Sequence, residues 1–226
     1  MATLTSTEAG ASGRYIQYDQ AALDDLGSQT IIAYAKPTGS GGGGFGYLYG
    51  KTPTGSVGGP RFFVNHNGGS PILTFGASST GDVGLPTATS TAAVTYSTWQ
   101  HYTATWDGTL NGTGINLYVE GTDVRDTTTA GSTSVEADTA NPVFIMNRFG
   151  LGRELVGDLA WVAVWDRVLN STERNTAITT GPLDVPTGLV LLFANDADLS
   201  ANAFSQVGRS TRVTGSTPGN TALGGS

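Results

Sequence analysis

The chain has 226 residues, enough for one large β-sandwich and short for two ordinary domains. Only 13% of the residues are charged, 33 are glycine and none is cysteine, so the surface must be built from Ser, Thr, Asn and backbone without any disulfide framework. A net charge of −7 with only two lysines leaves no polybasic surface for nucleic acid, and no apolar run approaches the roughly 18 residues of a membrane span, so neither nucleic acid nor a membrane is expected as a partner.

Residues 1–13 are small and polar and read as an N-terminal arm. Its first eight residues lack the positive and apolar regions of a secretory signal, which leaves either a mature fragment or a chain made and used without Sec export. Short strands are predicted over 14–19, 29–36, 45–51, 61–65, 71–76 and 92–96, separated by the glycine-rich segments 39–44, 55–60 and 67–70, with one helical turn over 20–26. Two β-rich runs, 99–106 and 115–120, then flank 107–114, a segment dense in residues that tolerate positive φ; this predicts an antiparallel hairpin in which Ile115, Leu117 and Val119 face inward.

The run 158–167 contains neither Gly nor Pro and suits a strand in mid-sheet, covered on both faces. Alternation sets Leu159, Trp161, Ala163 and Trp165 against Ala160, Val162 and Val164. Asn170–Ile178 opens with capping residues and stops before Gly181-Pro182, which predicts a short helix, and 188–193 is a last apolar strand. The sandwich therefore spans 14–195, with a core that includes Phe63, Trp99 and Trp161, and 196–226 reads as an extended C-terminal tail.

The order Trp-x-His-x-x-x-Thr-Trp-Asp-Gly from Trp99, then Leu-Tyr-Val-x-Gly from Leu117, then Gly-Asp-Leu-Ala-x-Val-x-Val-Trp-Asp-Arg-Val-Leu from Gly157 resembles the laminin-G-like, concanavalin A-like lectin/glucanase superfamily. Tyr15–Tyr18 and Thr30–Pro37 look like that family's first core strands. The resemblance covers roughly 12–195 and implies an all-β, antiparallel jelly-roll sandwich with one short helix. Its members include sugar binders, adhesion modules, hydrolases and virion proteins, so the fold alone leaves function open.

Catalytic chemistry is poorly supplied. The family's glucanases place Glu-x-Asp-x-x-Glu on one strand, because retaining hydrolysis needs two carboxyls about 5 Å apart. The five glutamates here, Glu8, Glu120, Glu136, Glu154 and Glu173, do not form that pattern; Glu136-Ala137-Asp138 comes nearest. No Gly-x-Ser-x-Gly elbow accompanies the serines. His101 reads as a structural histidine hydrogen-bonded near the sheet rim and His66 as an exposed turn residue, so the chain is expected not to be an enzyme.

Calcium is the cofactor the family suggests, and Asp107, Asn111, Asp123 and Asp158 are the candidate metal ligands, with Asp126 a further oxygen donor. Asp107 reads equally as a turn residue and Asp158 as a strand-entry residue. Sugar binding calls for rings beside hydrogen-bonding groups, and Tyr47, Asn65, Tyr102 and Arg148 are the candidate glycan residues, although aromatic residues in strands also serve as core or cross-strand pairs.

The first functional reading is a non-enzymatic virion structural protein. It would be a bacteriophage capsid decoration or cement protein at the capsid surface, bound to a major capsid protein or other virion proteins as a homo-oligomer, a trimer at threefold positions. Segments 2–12, 209–226 and the 39–44 loop are the expected contacts. The alternative is an extracellular carbohydrate-binding adhesion module, with a glycan as partner and calcium as its cofactor.

Overall fold

The computed structural model describes residues 4–6, 15–18, 21–51, 58–66, 69–77, 85–131, 137–139, 141–148 and 152–194. Two antiparallel sheets face each other. Sheet A runs β1 (Leu4–Ser6), β13 (Gly157–Trp165), β3 (Gln29–Pro37), β8 (Gln100–Trp106), β9 (Ile115–Val119) and β10 (Thr122–Asp123). A further strand, β14 (Leu189–Ala194), shares the second edge of β13 with β1. Sheet B runs β11 (Arg125–Thr129), β7 (Thr87–Ser90), β6 (Ile72–Gly76), β5 (Arg61–Asn65), β4 (Phe45–Gly50), β12 (Val143–Ile145) and β2 (Ile16–Tyr18). One helix, α1 (Ser171–Thr179), follows β13. This is the jelly-roll sandwich that the sequence predicts.

Alternation builds the core between the sheets: Ile31 and Ala33 of β3 and Tyr102 of β8 meet Phe62 and Val64 of β5 and Phe75 of β6. Each such large apolar side chain contributes roughly 1.5–3 kcal/mol by leaving water. The predicted hairpin is β8 and β9, with Trp106 opposite Ile115 and the β9 residues Ile115, Leu117 and Val119 inward. In its connection Gly108 has φ +85°, and a Cβ there would strike the Gly27 carbonyl.

Strand β13 does lie in mid-sheet with both faces covered, but simple alternation fails along it. A bulge between Leu159 and Trp161 sends Leu159 inward with Val162 and Val164. Ala160, Trp161, Ala163 and Trp165 turn to the outer face of sheet A. A second apolar cluster forms there under α1, and Trp99 and Trp161 belong to it rather than to the inter-sheet core.

The predicted strand over 92–96 is absent. That segment bends through Ser97 at φ +60°, while the short Thr/Ser alternation of β7, which carries little apolar signal, supplies the sheet B strand instead. The glycine-rich 39–44 loop is held against its own sandwich. It is knitted to the segment before β13 by Gly42 N–H donating to the Glu154 carbonyl at 3.2 Å and Thr38 N–H to the Val156 carbonyl at 2.8 Å.

Helix α1 starts on a reciprocal cap. Asn170 Oδ1 accepts from Glu173 N–H at 3.0 Å, and Glu173 Oε2 accepts from Asn170 N–H at 2.9 Å. The Arg167 fork grips the same carboxylate at 2.9 and 2.8 Å and holds the Glu173 carboxyl below its usual range. Asn170→Ala is expected to cost about 1 kcal/mol in urea unfolding, because the N-terminal amides lose their acceptor; an unchanged midpoint would assign the helix start to Arg167 alone.

Of the predicted arm, Leu4–Ser6 lies on the edge of β13 as β1. The remainder of 1–13 up to Gly13, and the tail 196–226, lie outside the described residues.

Candidate functional site

The outer face of sheet B carries a set of groups that the core does not use. On β5 the alternation that buries Phe62 and Val64 inward turns Arg61, Phe63 and Asn65 outward, and β6 places Thr74 outward opposite Phe63. Strand β4 bulges between Tyr47 and Tyr49, so Leu48 and Tyr49 both enter the core while Phe45 and Tyr47 stay outside. The Tyr47 ring stacks on Phe63 with centroids 4.9 Å apart at 12°, and Phe45 meets Phe63 edge-on at 5.7 Å. Gly50 makes room for this arrangement, since a Cβ there would come within 3.1 Å of the Tyr47 ring.

Tyr47, Phe63 and Thr74 are only 4%, 7% and 6% exposed, so they are buried on this side of the sheet. Phe63, predicted as core, is buried on this side instead. Asn147, Arg148 and Arg153, which follow β12, adjoin these residues. Buried Asn147 accepts at Oδ1 from Arg148 N–H at 2.9 Å and Arg153 N–H at 3.1 Å, which fixes both arginines at the two ends of one loop. Tyr47 N–H donates to the Arg153 carbonyl at 3.1 Å. The Arg153 guanidinium lies 4.0 Å over Phe45 and donates to the Gly43 carbonyl at 3.0 Å. Burial first, and then the adjacent Arg148 charge, push the Arg153 pKa down. Among the described residues, Arg61, Arg148 and Arg153 form no ion pair. Two buried polar atoms of this face, Thr74 Oγ1 and Arg148 Nε, have no hydrogen-bond partner.

A family model described as the concanavalin A-like lectin/glucanases superfamily matches residues 10–173. The chain belongs to that superfamily. No curated protein matches the sequence. Solved structures with the same fold include the heptameric SAP-like pentraxin of Limulus polyphemus, at 15% identity and TM-score 0.56, over 78% of this chain and 81% of that one. A candidate carbohydrate-binding protein of Bacteroides ovatus matches at 16% identity and TM-score 0.59 over 88% of this chain; the match spans 52% of the Bacteroides chain. The CBM40 of a Ruminococcus gnavus IT-sialidase, bound to α2,3-sialyllactose, matches at 15% identity and TM-score 0.51 over 80% and 97%.

In this concanavalin A-like domain two of the four sequence-predicted glycan residues, Tyr47 and Asn65, share the sheet B face, with Asn65 paired across from Phe45, and a third, Arg148, follows β12 next to Asn147. The fourth, Tyr102, is corrected. It is fully buried between the sheets with its hydroxyl donating to Gln100 Oε1 at 3.1 Å, because its position on β8 has the inward parity. Arg153, Thr74 and Asn147 went unpredicted.

The four calcium candidates do not assemble. Asp107 Oδ1 accepts from the Thr109 amide and hydroxyl at 2.9 and 2.7 Å, Asn111 caps the 112–114 turn, and Asp123 accepts from Arg125 N–H at 3.0 Å. Asp158 is ion-paired with Lys36 at 2.5 Å. Asp158 lies opposite Lys36 and Trp106, next to Asp107, opposite Gln29, which separates the two acids by ~23 Å along β3. Among the described residues no three His, Asp or Glu groups could hold a metal ion.

Of the near-glucanase pattern, Glu136 lies outside the described residues and Asp138 is engaged with the Lys51 ammonium at 2.5 Å. His101 has the structural role its position predicts: Nδ1 lies 3.2 Å from Glu120 Oε2, and burial pushes its pKa down against the pull of that carboxylate. His66 is half-buried rather than exposed, its ring 5.6 Å from Tyr96.

Away from sheet B, the Arg174 guanidinium lies 4.1 Å over the Tyr118 ring with a buried Nε that has no partner. On sheet A, Tyr34 stacks on His101 at 4.2 Å, and the nearby Lys36, Asp158, His101 and Glu120 charges are paired among themselves. A hollow of about 190 Å³ beside α1 is lined by Arg167 and Glu173, which grip each other.

Proposed function

We propose that this lectin-like domain binds carbohydrate, without catalysis, on the outer face of sheet B. The observation that carries this reading is the coincidence, on one face, of a stacked ring pair with unpaired guanidinium groups and unpartnered buried polar atoms. Protein sites for sugars combine a ring to stack on with a few fixed donors and acceptors, and an unsatisfied buried group costs about 1–3 kcal/mol until a ligand or water meets it. The R. gnavus module, whose structure holds sialyllactose, and the Bacteroides protein support the same class of function.

Thr74→Val tests it without damaging the fold. Valine keeps the shape and removes only the unpartnered hydroxyl, so thermal stability should hold or rise, while affinity for a saccharide found on a glycan array should fall about fivefold. Absence of any glycan signal under both calcium and chelator conditions would overturn the reading.

A second reading rests on β1. A short arm strand added to the edge of β13 is a device that can be exchanged between copies, as a virion decoration protein at a capsid surface would use it to join a homo-oligomer or trimer to a major capsid protein. Light scattering of the full chain should then give an oligomer that dissociates when residues 1–6 are removed; a monomer at all concentrations would count against it.

A further inference from the structure

We propose that the sheet B face selects an acidic saccharide, one whose carboxylate is held between Arg148 and Arg153 while its ring lies beside the Phe45, Tyr47 and Phe63 cluster. The inference rests on the carbohydrate reading above and names the ligand class.

Its basis is charge. The chain carries a net charge of −7 and has nine arginines in all, yet three of them, Arg61, Arg148 and Arg153, gather on this one face. Arg61 projects from β5 alongside Gly76, whose missing side chain leaves it room, and it lies across from Gly50, the residue over which the Asn147 carbonyl and the Tyr47 ring sit. Elsewhere Lys36 has Asp158, Lys51 has Asp24 and Asp138, and Arg167 has Glu173, while Arg125 and Arg174 donate to backbone carbonyls. The carboxylate adjoining this face in sequence, Glu154, is buried with Oε2 against Gly42, and it is not among the charges that act on Arg153.

Burial, and after it the Arg148 charge, act against the Arg153 guanidinium, a cost that a bound anion relieves. Arginine's planar fork is suited to the two oxygens of a carboxylate, and Arg148 offers an Nε–H that no protein atom uses. Asn147 fixes the separation of the two backbone positions before any ligand arrives. A neutral sugar could use the rings and Thr74 but would leave both cations unmatched.

The test is calorimetric titration of the full chain with matched pairs: 3′-sialyllactose against lactose, oligogalacturonate against its methyl ester, and a sulfated galactose disaccharide against its unsulfated parent. The acidic member of at least one carboxylate pair should bind about tenfold or more tightly than its neutral partner, with an affinity that falls as salt rises. Arg148→Gln and Arg153→Gln should each remove most of that difference while thermal melting confirms the fold. Preference for the sulfated sugar alone would overturn the carboxylate assignment. Equal binding of acidic and neutral members, with Thr74→Val still weakening both, would overturn acid selection and leave carbohydrate binding standing. Failure of every saccharide to bind would remove both.

Discussion

Lys51→Met is expected to destabilise the domain by about 3–5 kcal/mol, enough to unfold many proteins of this size at ordinary temperature. Lys51 directly follows β4 with its side chain 1% exposed, and Nζ donates to the Leu23 carbonyl at 2.9 Å, Asp24 Oδ1 at 2.7 Å and Asp138 Oδ1 at 2.5 Å. The Asp138 carboxylate also accepts from Asp25 N–H at 2.8 Å, and Asp25 in turn accepts from Asp138 N–H at 2.6 Å and the Thr139 hydroxyl at 2.8 Å. One ammonium thus ties the turn after β2, the end of β4 and the segment before β12 together at one end of the sandwich.

Methionine fills the volume but leaves two carboxylates facing a buried space, with the buried Tyr49 hydroxyl also without a partner. Burial already pushes the Asp138 carboxyl up against the pull of Lys51. Adding Asp138→Asn to Lys51→Met should therefore recover part of the loss in urea unfolding, because it removes one uncompensated charge. A single-variant loss below about 1 kcal/mol would mean that the cluster is hydrated and contributes little.

Asn147→Ala is the second large effect, and it falls on binding as well as on stability. The substitution leaves the Arg148 and Arg153 amides without their shared acceptor, which should cost about 2 kcal/mol of stability and loosen the loop that carries both guanidinium groups. Affinity for an acidic saccharide should fall about tenfold, since the fixed spacing of the forks is lost even though both remain. Urea unfolding and calorimetric titration read the two effects separately. A loss of stability with unchanged affinity would show that the arginines find their ligand geometry without the clamp.

The sequence displays most of the fold because alternation and turn chemistry are local. The β8–β9 hairpin, the mid-sheet β13 and the capped α1 all follow from residues within a few positions of one another. What it conceals depends on bulges. One extra residue in β13 exchanges the faces of Leu159 and Trp161, and one in β4 lets Leu48 and Tyr49 both point inward, leaving Tyr47 outside.

The candidate site was half legible for the same reason. Tyr47, Asn65 and Arg148 carry the chemistry of sugar recognition in their residue types, but Phe63 has the composition of a core residue, and only its parity on β5 shows otherwise. Tyr102 has the reverse problem, a ring with a hydroxyl placed on the inward parity of β8. The Lys51 cluster had one sequence signal, a lone lysine in a chain with only two, while its partners lie 27 and 87 residues away. No spacing rule connects them.

The central claim, that a saccharide sits on the outer face of sheet B, is tested most directly by following backbone amide NMR signals of the full chain during titration with the tightest-binding acidic saccharide. The largest shifts should fall on Phe45–Gly50, Arg61–Asn65, Arg148 and Arg153. Shifts confined to the outer face of sheet A around Trp99 and Trp161, or to α1, with those sheet B signals unmoved, would contradict it.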